Sequence, residues 1–323
     1  MAELDPDELR RRLDGAGVTG VAALSGGASG LTFGGTLDGR PVVIKVAPPA
    51  VEPVAHRDVL RQARIIKALA GTRVPVPEVL WEDPGDPPQT PPLFVMSRVE
   101  GDCVEPLFDG CAGSPGLPER YRNACRAMAA LHALSPSALG LAGEPIVDAV
   151  AEVWRWSDTL QTVDTALVPD WPAVRDRLLS CAPTAMRPSV VHGDFRLGNL
   201  LATGSRIKAV IDWEIWSVGD PRIDAGWFSI NCDPDTYRRV PGSAGMVPPI
   251  TELAAIYQEE LGREVTDLAW FGALACFKSA ATWSLIVKHN RRRRRPRAEW
   301  EAMAATLPRL LDRARSMLDQ RRS

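Results

Sequence analysis

Two short apolar runs, Ser189-Val190-Val191 and Ala209-Val210-Ile211, bracket the segment that most limits what this chain can fold into. The first opens onto His192-Gly193-Asp194-Phe195-Arg196-Leu197-Gly198-Asn199, a loop with an Asp and, five residues on, an Asn. The second ends in Asp212-Trp213-Glu214. Both runs read as strands, so each set of polar groups sits in a loop on a rigid base. Phosphoryl transfer needs such a set. One carboxylate orients an acceptor hydroxyl and takes its proton, while an amide oxygen and a second carboxylate hold Mg²⁺ against nucleotide phosphates.

The residues ahead of this segment predict a β-rich region with one helix. Leu31 to Leu37 and Pro41 to Val46 are strand-like and are separated by Asp38-Gly39, which suits a type I′ hairpin turn. A helix is expected from Val54 to Leu69, with Val59, Ala63, Ile66 and Ala70 on one stripe and Gly71 near its C-terminal cap. Val79-Leu80-Trp81 and Leu93 to Met96 read as further strands around a Pro-rich loop from Pro84 to Pro92. Beyond Gly101 the pattern turns helical, over 120–134, within 149–180, and over 250–262, 266–289 and 298–318. The expected division is a smaller lobe over 1–97 and a larger one over 98–323.

Composition narrows the class. Hydrophobic residues at 45% and charged residues at 24% argue against a disordered chain. No run of about 18 apolar residues is evident, and the acidic start Met1 to Glu8 lacks the order of a signal peptide. Six scattered cysteines form no C-x-x-C pair, so neither a disulfide frame nor a zinc knuckle is suggested, and a cytoplasmic location is expected. Lys288, Arg291 to Arg295 and Arg297 crowd seven positive charges into ten positions, leaving 31 basic against 40 acidic residues elsewhere. The bland reading is a solvated surface; the other is contact with an anion such as phosphate, coenzyme A or nucleic acid. Aromatic residues do not interleave the run, which weakens the nucleic-acid version.

The motif H-G-D-x-x-x-x-N followed by I-D-W-E resembles the aminoglycoside phosphotransferase and choline-kinase group of protein-kinase-like enzymes. Gly219-Asp220-Pro221-Arg222-Ile223-Asp224 is similar to that family's G-D-P-x-x-D stretch. Val74-Pro75-Val76-Pro77 and Phe94 to Gly101 look like its V-P-V-P segment and inter-lobe hinge. The resemblance covers roughly residues 20 to 290. It implies an α+β, bilobal protein-kinase-like fold with a small β-rich N-lobe and a larger, mainly helical C-lobe.

The resemblance also implies roles. Asp194 would be the catalytic base, and Asn199 and Asp212 the Mg²⁺ ligands. Lys45 would contact ATP or GTP phosphates beneath a loop containing Ser25, Gly26, Gly27 and Ser29, with Met96 at the hinge. Glu214 could assist the metal or brace the site. His192 is expected to be a packing and hydrogen-bonding residue without a catalytic role, and Asp220 and Asp224 to brace the loop and cap a helix rather than touch substrate. Gln62 stands where the family places a Glu to pair with the lysine, so Gln62 or, four residues earlier, Asp58 is the expected partner of Lys45.

The function implied is a small-molecule kinase, monomeric or homodimeric, that moves the γ-phosphoryl group of a nucleoside triphosphate to a hydroxyl. Neither nucleic acid nor a membrane is an expected partner. The motif wording is closest to the phosphotransferase-like branch associated with acyl-CoA dehydrogenases. That favours a neutral or anionic hydroxylated metabolite or antibiotic. One alternative is an aminoglycoside antibiotic O-phosphotransferase conferring resistance. Another, from a different class, is a catalytically weak nucleotide-binding pseudokinase, for which Gln62 is the sequence support.

Overall fold

The structure is a computed structural model and describes residues 4–24, 31–105, 116–237 and 246–320. Its contacts divide the chain into two compact units. The first comprises Met1–Cys103 with Asn199–Trp216, and the second Val104–Gly198 with Ser217–Ser323.

The first unit is built on a five-stranded antiparallel sheet of β1 (Val18–Ala23), β2 (Leu31–Leu37), β3 (Arg40–Val46), β4 (Val79–Asp83) and β5 (Leu93–Ser97). Their order is β1-β2-β3-β5-β4. Asp38 and Gly39 both take positive φ, 49° and 74°, as a type I′ turn between β2 and β3 requires. Period-2 alternation along β3 buries Val42, Ile44 and Val46 against Leu9 and Leu13 of α1 (Pro6–Gly15) and Leu93 and Val95 of β5. Lys45 falls between them in sequence and so points to the other face of the sheet.

Helix α2 (Val59–Leu69) starts later than the sequence pattern suggests. Asp58 keeps extended backbone and accepts the Arg61 N–H at 3.0 Å, so it caps the helix, and only a 3₁₀ turn, Ala55–Arg57, precedes it. Val59, Ala63 and Ile66 are buried as expected; Ala70 lies past the end and is exposed. A hairpin of β8 (Leu200–Thr203) and β9 (Arg206–Val210) also belongs to this unit. It is anchored by the bridge between Asp102 and Ala202. Gly101 permits that approach: its φ is 151°, and a Cβ there would lie 2.9 Å from the Ala202 carbonyl oxygen.

The second unit is mainly helical: α3 (Leu117–His132), α4 (Ala149–Gln161), α5 (Trp171–Ser180), α6 (Arg222–Cys232), α7 (Ile250–Leu261), α8 (Leu268–Arg291) and α9 (Leu307–Gln320). A small sheet joins β6 (Ile146–Val147), β7 (Ser189–Val191) and β10 (Ser217–Gly219) in the order β6-β10-β7. Helix α8 is its axis. With a window of mean hydropathy 1.3 it is long and apolar enough to cross a bilayer, contrary to the sequence reading, but 83% of that window is buried inside the protein. Trp270, Phe271, Ala273, Phe277 and Ala280 pack on α4, α5, α6 and α9.

The basic run has structural employment. Arg291 makes a bidentate pair with Glu301, and the guanidinium groups of Arg293 and Arg297 lie 4.5 and 4.8 Å from the Trp300 ring centre.

Candidate active site

In the first unit, Lys45 and Asp212 meet. The Lys45 ammonium lies 3.0 Å from one Asp212 carboxylate oxygen and 3.6 Å from Glu214. Alternation on β3 aims the lysine, and the end of β9 delivers the aspartate. Asp212 adopts φ 67°, a left-handed conformation that Asp tolerates better than most residues and that turns the chain sharply after the strand. The Ile211 N–H donates to the Asn199 carbonyl at 3.0 Å, continuing the β8–β9 ladder and setting Asn199 beside Asp212. Asn199 is buried.

Asn199, Asp212 and Glu214 offer only oxygen donors, the hard set that Mg²⁺ prefers. No group of three or more His, Cys, Asp or Glu suited to a metal occurs among the described residues. The pair of carboxylates with an amide falls outside that definition and fits an ion that is also held by phosphate oxygens. Asp212 and Asn199 would hold it, and it would screen phosphate charge there.

The expected partner of Lys45 on α2 needs correction. Among the described residues, the ion pairs of Lys45 are to Asp212 and Glu214. Asp58 is committed to capping α2, and Gln62 is buried on that helix. Helix α2 serves the site differently. Arg61 lies 3.9 Å over the Trp216 ring and donates to the Trp216 carbonyl at 2.8 Å, while the Trp216 indole donates to the Arg61 carbonyl at 3.1 Å. These contacts tie the segment after Asp212 to α2. Met96 is buried in β5 opposite Val43 and Val79. Ser25, Gly26, Gly27 and Ser29 lie outside the described residues.

In the second unit the loop after β7 carries Asp194. One carboxylate oxygen accepts the Trp227 indole N–H at 2.8 Å, and the Arg196 Nε lies 3.3 Å from both. Arg196 also donates to Glu105 at 2.7 Å, and Glu105 accepts the Gly198 N–H at 3.2 Å. Burial pushes the Glu105 carboxyl above its ordinary range despite the guanidinium beside it. Asp194 keeps 24% of its side chain exposed, so its carboxylate remains accessible from solvent.

The loop backbone is held from behind by Asp224, which is wholly buried on α6. It accepts the N–H groups of His192 and Gly193 at 2.6 and 2.8 Å and faces His132 Nε2 at 3.2 Å. Burial alone would raise the Asp224 carboxyl, but the His132 contact and the His192 N–H hold it below the usual range. Asp220 forms a buried pair with Arg222 at 2.7 Å and accepts the Met186 N–H. Asp220 and Asp224 thus brace the loops, as the sequence led us to expect.

Several residues of this unit escape a reading by motif. Lys278 of α8 is buried; its ammonium donates to the Gly193 carbonyl and lies 4.0 Å from the Trp227 ring centre. Burial lowers its pKa. A lone lysine in the run Leu274-Ala275-Cys276-Phe277-Lys278-Ser279-Ala280-Ala281 is the one signal that could have found it. Arg196 sits within the motif itself. Glu105 and Trp227 carry no local signal.

The sheet-bearing unit, the helical unit and the paired loops define a protein-kinase-like phosphotransferase fold. The chain belongs to the phosphotransferase enzyme family, whose profile matches residues 20–244. It is 30% identical over 214 residues to acyl-CoA dehydrogenase family member 10 of Mus musculus, covering 62% of this chain and 19% of that protein. It is 26% identical over 220 residues to hygromycin-B 4-O-kinase of Escherichia coli, covering 64% of this chain and 61% of that enzyme. The chain therefore spans about a fifth of the mouse relative and 36% of the chicken acyl-CoA dehydrogenase family member 11.

Among solved structures, a Ralstonia eutropha JMP134 protein assigned to the aminoglycoside phosphotransferases superposes with TM-score 0.80 at 25% identity, covering 98% of this chain and 99% of that one. A mutant of aminoglycoside phosphotransferase APH(4)-Ia with ADP and hygromycin B superposes with TM-score 0.63 at 18% identity, covering 96% and 97%. At that identity the second likeness speaks to the fold alone.

Proposed function

We propose that this protein is a Mg²⁺-dependent kinase that transfers the γ-phosphoryl group of ATP or GTP to a hydroxyl of a small neutral or anionic acceptor. The observation that carries this reading is the setting of Asp194. Its carboxylate is partly exposed, is oriented by the Trp227 indole and Arg196, and sits on a loop fixed by Asp224. A carboxylate held in one orientation can align an acceptor hydroxyl and accept its proton. Lys45 and Asp212, with Asn199 beside them, supply the cation and oxygen ligands that nucleotide phosphates and Mg²⁺ require. The mouse and chicken relatives' names point to acyl metabolism, which supports a neutral or anionic acceptor.

The test is a screen for ADP or GDP release with Mg²⁺ and each nucleotide over a panel of hydroxylated metabolites, hydroxy acids and antibiotics. Turnover should appear with a neutral or acidic alcohol and drop by about 10²–10⁴-fold or more in Asp194→Asn, while nucleotide binding persists. Efficient turnover of kanamycin-like polycations alone would overturn the acceptor assignment. Near-normal turnover by Asp194→Asn would overturn the base.

A further inference from the structure

Helices α3, α6, α7, α8 and α9 of the second unit line a partly open pocket of about 180 Å³ that the phosphotransfer chemistry does not use. Met128, Phe228, Leu253 and Met317 give it apolar walls. An apolar cavity of roughly 150 Å³ takes up benzene-sized guests. A mainly apolar pocket of this size therefore gains contacts when an apolar molecule enters it and leaves water.

The charge around the cavity selects the guest. Asp233 is the ionisable carboxylate in its wall, and it is already committed: Arg313 lies at 2.5 Å, the Thr236 hydroxyl at 2.9 Å and the Asp235 N–H at 2.9 Å. Among the described residues no Lys, Arg or His lines the pocket, so that part of the wall gives an anionic head group no counter-charge. Two methionines in the wall let it adapt to the shape of a guest.

The cavity also abuts the loop that carries Asp194. Phe228 packs edge-to-face on Phe195, with ring centres 5.9 Å apart. Tyr257, also in the wall, hydrogen-bonds His132 at 2.7 Å, and His132 meets Asp224, which holds the His192 and Gly193 N–H groups. We propose that this cavity is a second ligand site, for a small uncharged apolar molecule, whose occupant packs against Phe228 and steadies the Asp194 loop. The proposal does not depend on the kinase reading, because its test needs no acceptor.

Toluene is the probe, and hexanoate the charged control. Toluene at about ten times its Kd should raise the Tm by about 3 °C. Hexanoate should not. Ala254→Trp, which fills the cavity from α7, should abolish the toluene shift, and amide exchange at 192–195 should slow in the parent protein on toluene binding. Should Ala254→Trp fail to fold, xenon-pressurised crystals of the parent protein decide, since xenon should occupy the cavity. No toluene shift in the parent, an equal shift in Ala254→Trp, or a cavity without xenon would each sink the proposal. Unchanged exchange at 192–195 with toluene bound would remove the link to the loop.

Discussion

Asp212 illustrates how much one residue can be asked to do. It accepts Lys45 and leaves its strand with a left-handed backbone. Replacing it with Ala removes the ligand expected to bind Mg²⁺ most firmly. Isothermal titration of ATP should then show the same affinity with and without Mg²⁺. Asn199→Ala should weaken the metal effect without removing it, because an amide oxygen carries no charge. Lys278 invites a different test. A buried ammonium is costly, and an apolar side chain of similar length often costs less. Lys278→Met should keep or raise the Tm, yet lower kcat by about tenfold or more by releasing the Gly193 carbonyl and the Trp227 ring, a hydrogen bond to a charged group being worth about 1.5–3 kcal/mol. Thermal unfolding and steady-state assay on the same preparation separate the two effects. A fall in Tm with unchanged kcat would mark the lysine as structural only.

At the scale of elements, helix α2 shows where local pattern stops being informative. Its apolar stripe is plain in the sequence, but its start is set by one hydrogen bond, from the Arg61 N–H to Asp58. Removing that cap in Asp58→Ala should cost about 0.5–2 kcal/mol, read as a lower denaturant midpoint with unchanged slope. Activity should fall little, since Lys45 pairs with Asp212 and Glu214. The β2–β3 hairpin was legible because Asp38-Gly39 dictates the turn, and the strand ends bearing Asp194 and Asp212 were legible because motif spacing dictates them. The pairing of Lys45 across 167 residues, the Arg61–Trp216 clasp and the Glu105–Arg196 contact were not. They depend on which segments become neighbours, and no local propensity encodes that. Helix α8 misled in another way, because its apolar character reflects burial on all sides within the unit.

For the whole molecule, the buried carboxylates set the response to acid. Asp220 and Asp224 both titrate below their ordinary range, the former through Arg222 and the Met186 N–H despite its burial. In the unfolded chain each would protonate near pH 3.9, so unfolding takes up protons as the pH falls past about 4. Their contribution is complete above that pH and is lost as the pH drops through the folded values. Glu105, raised by burial, acts with the opposite sign. Urea midpoints should therefore hold from pH 7 to 5 and fall below about pH 4, with a shallower fall in Asp224→Asn. A parent and a variant with identical acid slopes would contradict the role given to Asp224. The split of the first unit between Met1–Cys103 and Asn199–Trp216 has a consequence for biosynthesis. Its sheet strands leave the ribosome early, but β8, β9 and Asp212 follow only after most of α3, α4 and α5 has been made. At about 5–20 residues per second, Lys45 waits on the order of ten seconds or more for its carboxylate partner. The nascent first unit therefore passes through a period in which all its sheet strands have been made and the Lys45–Asp212 pair cannot yet form.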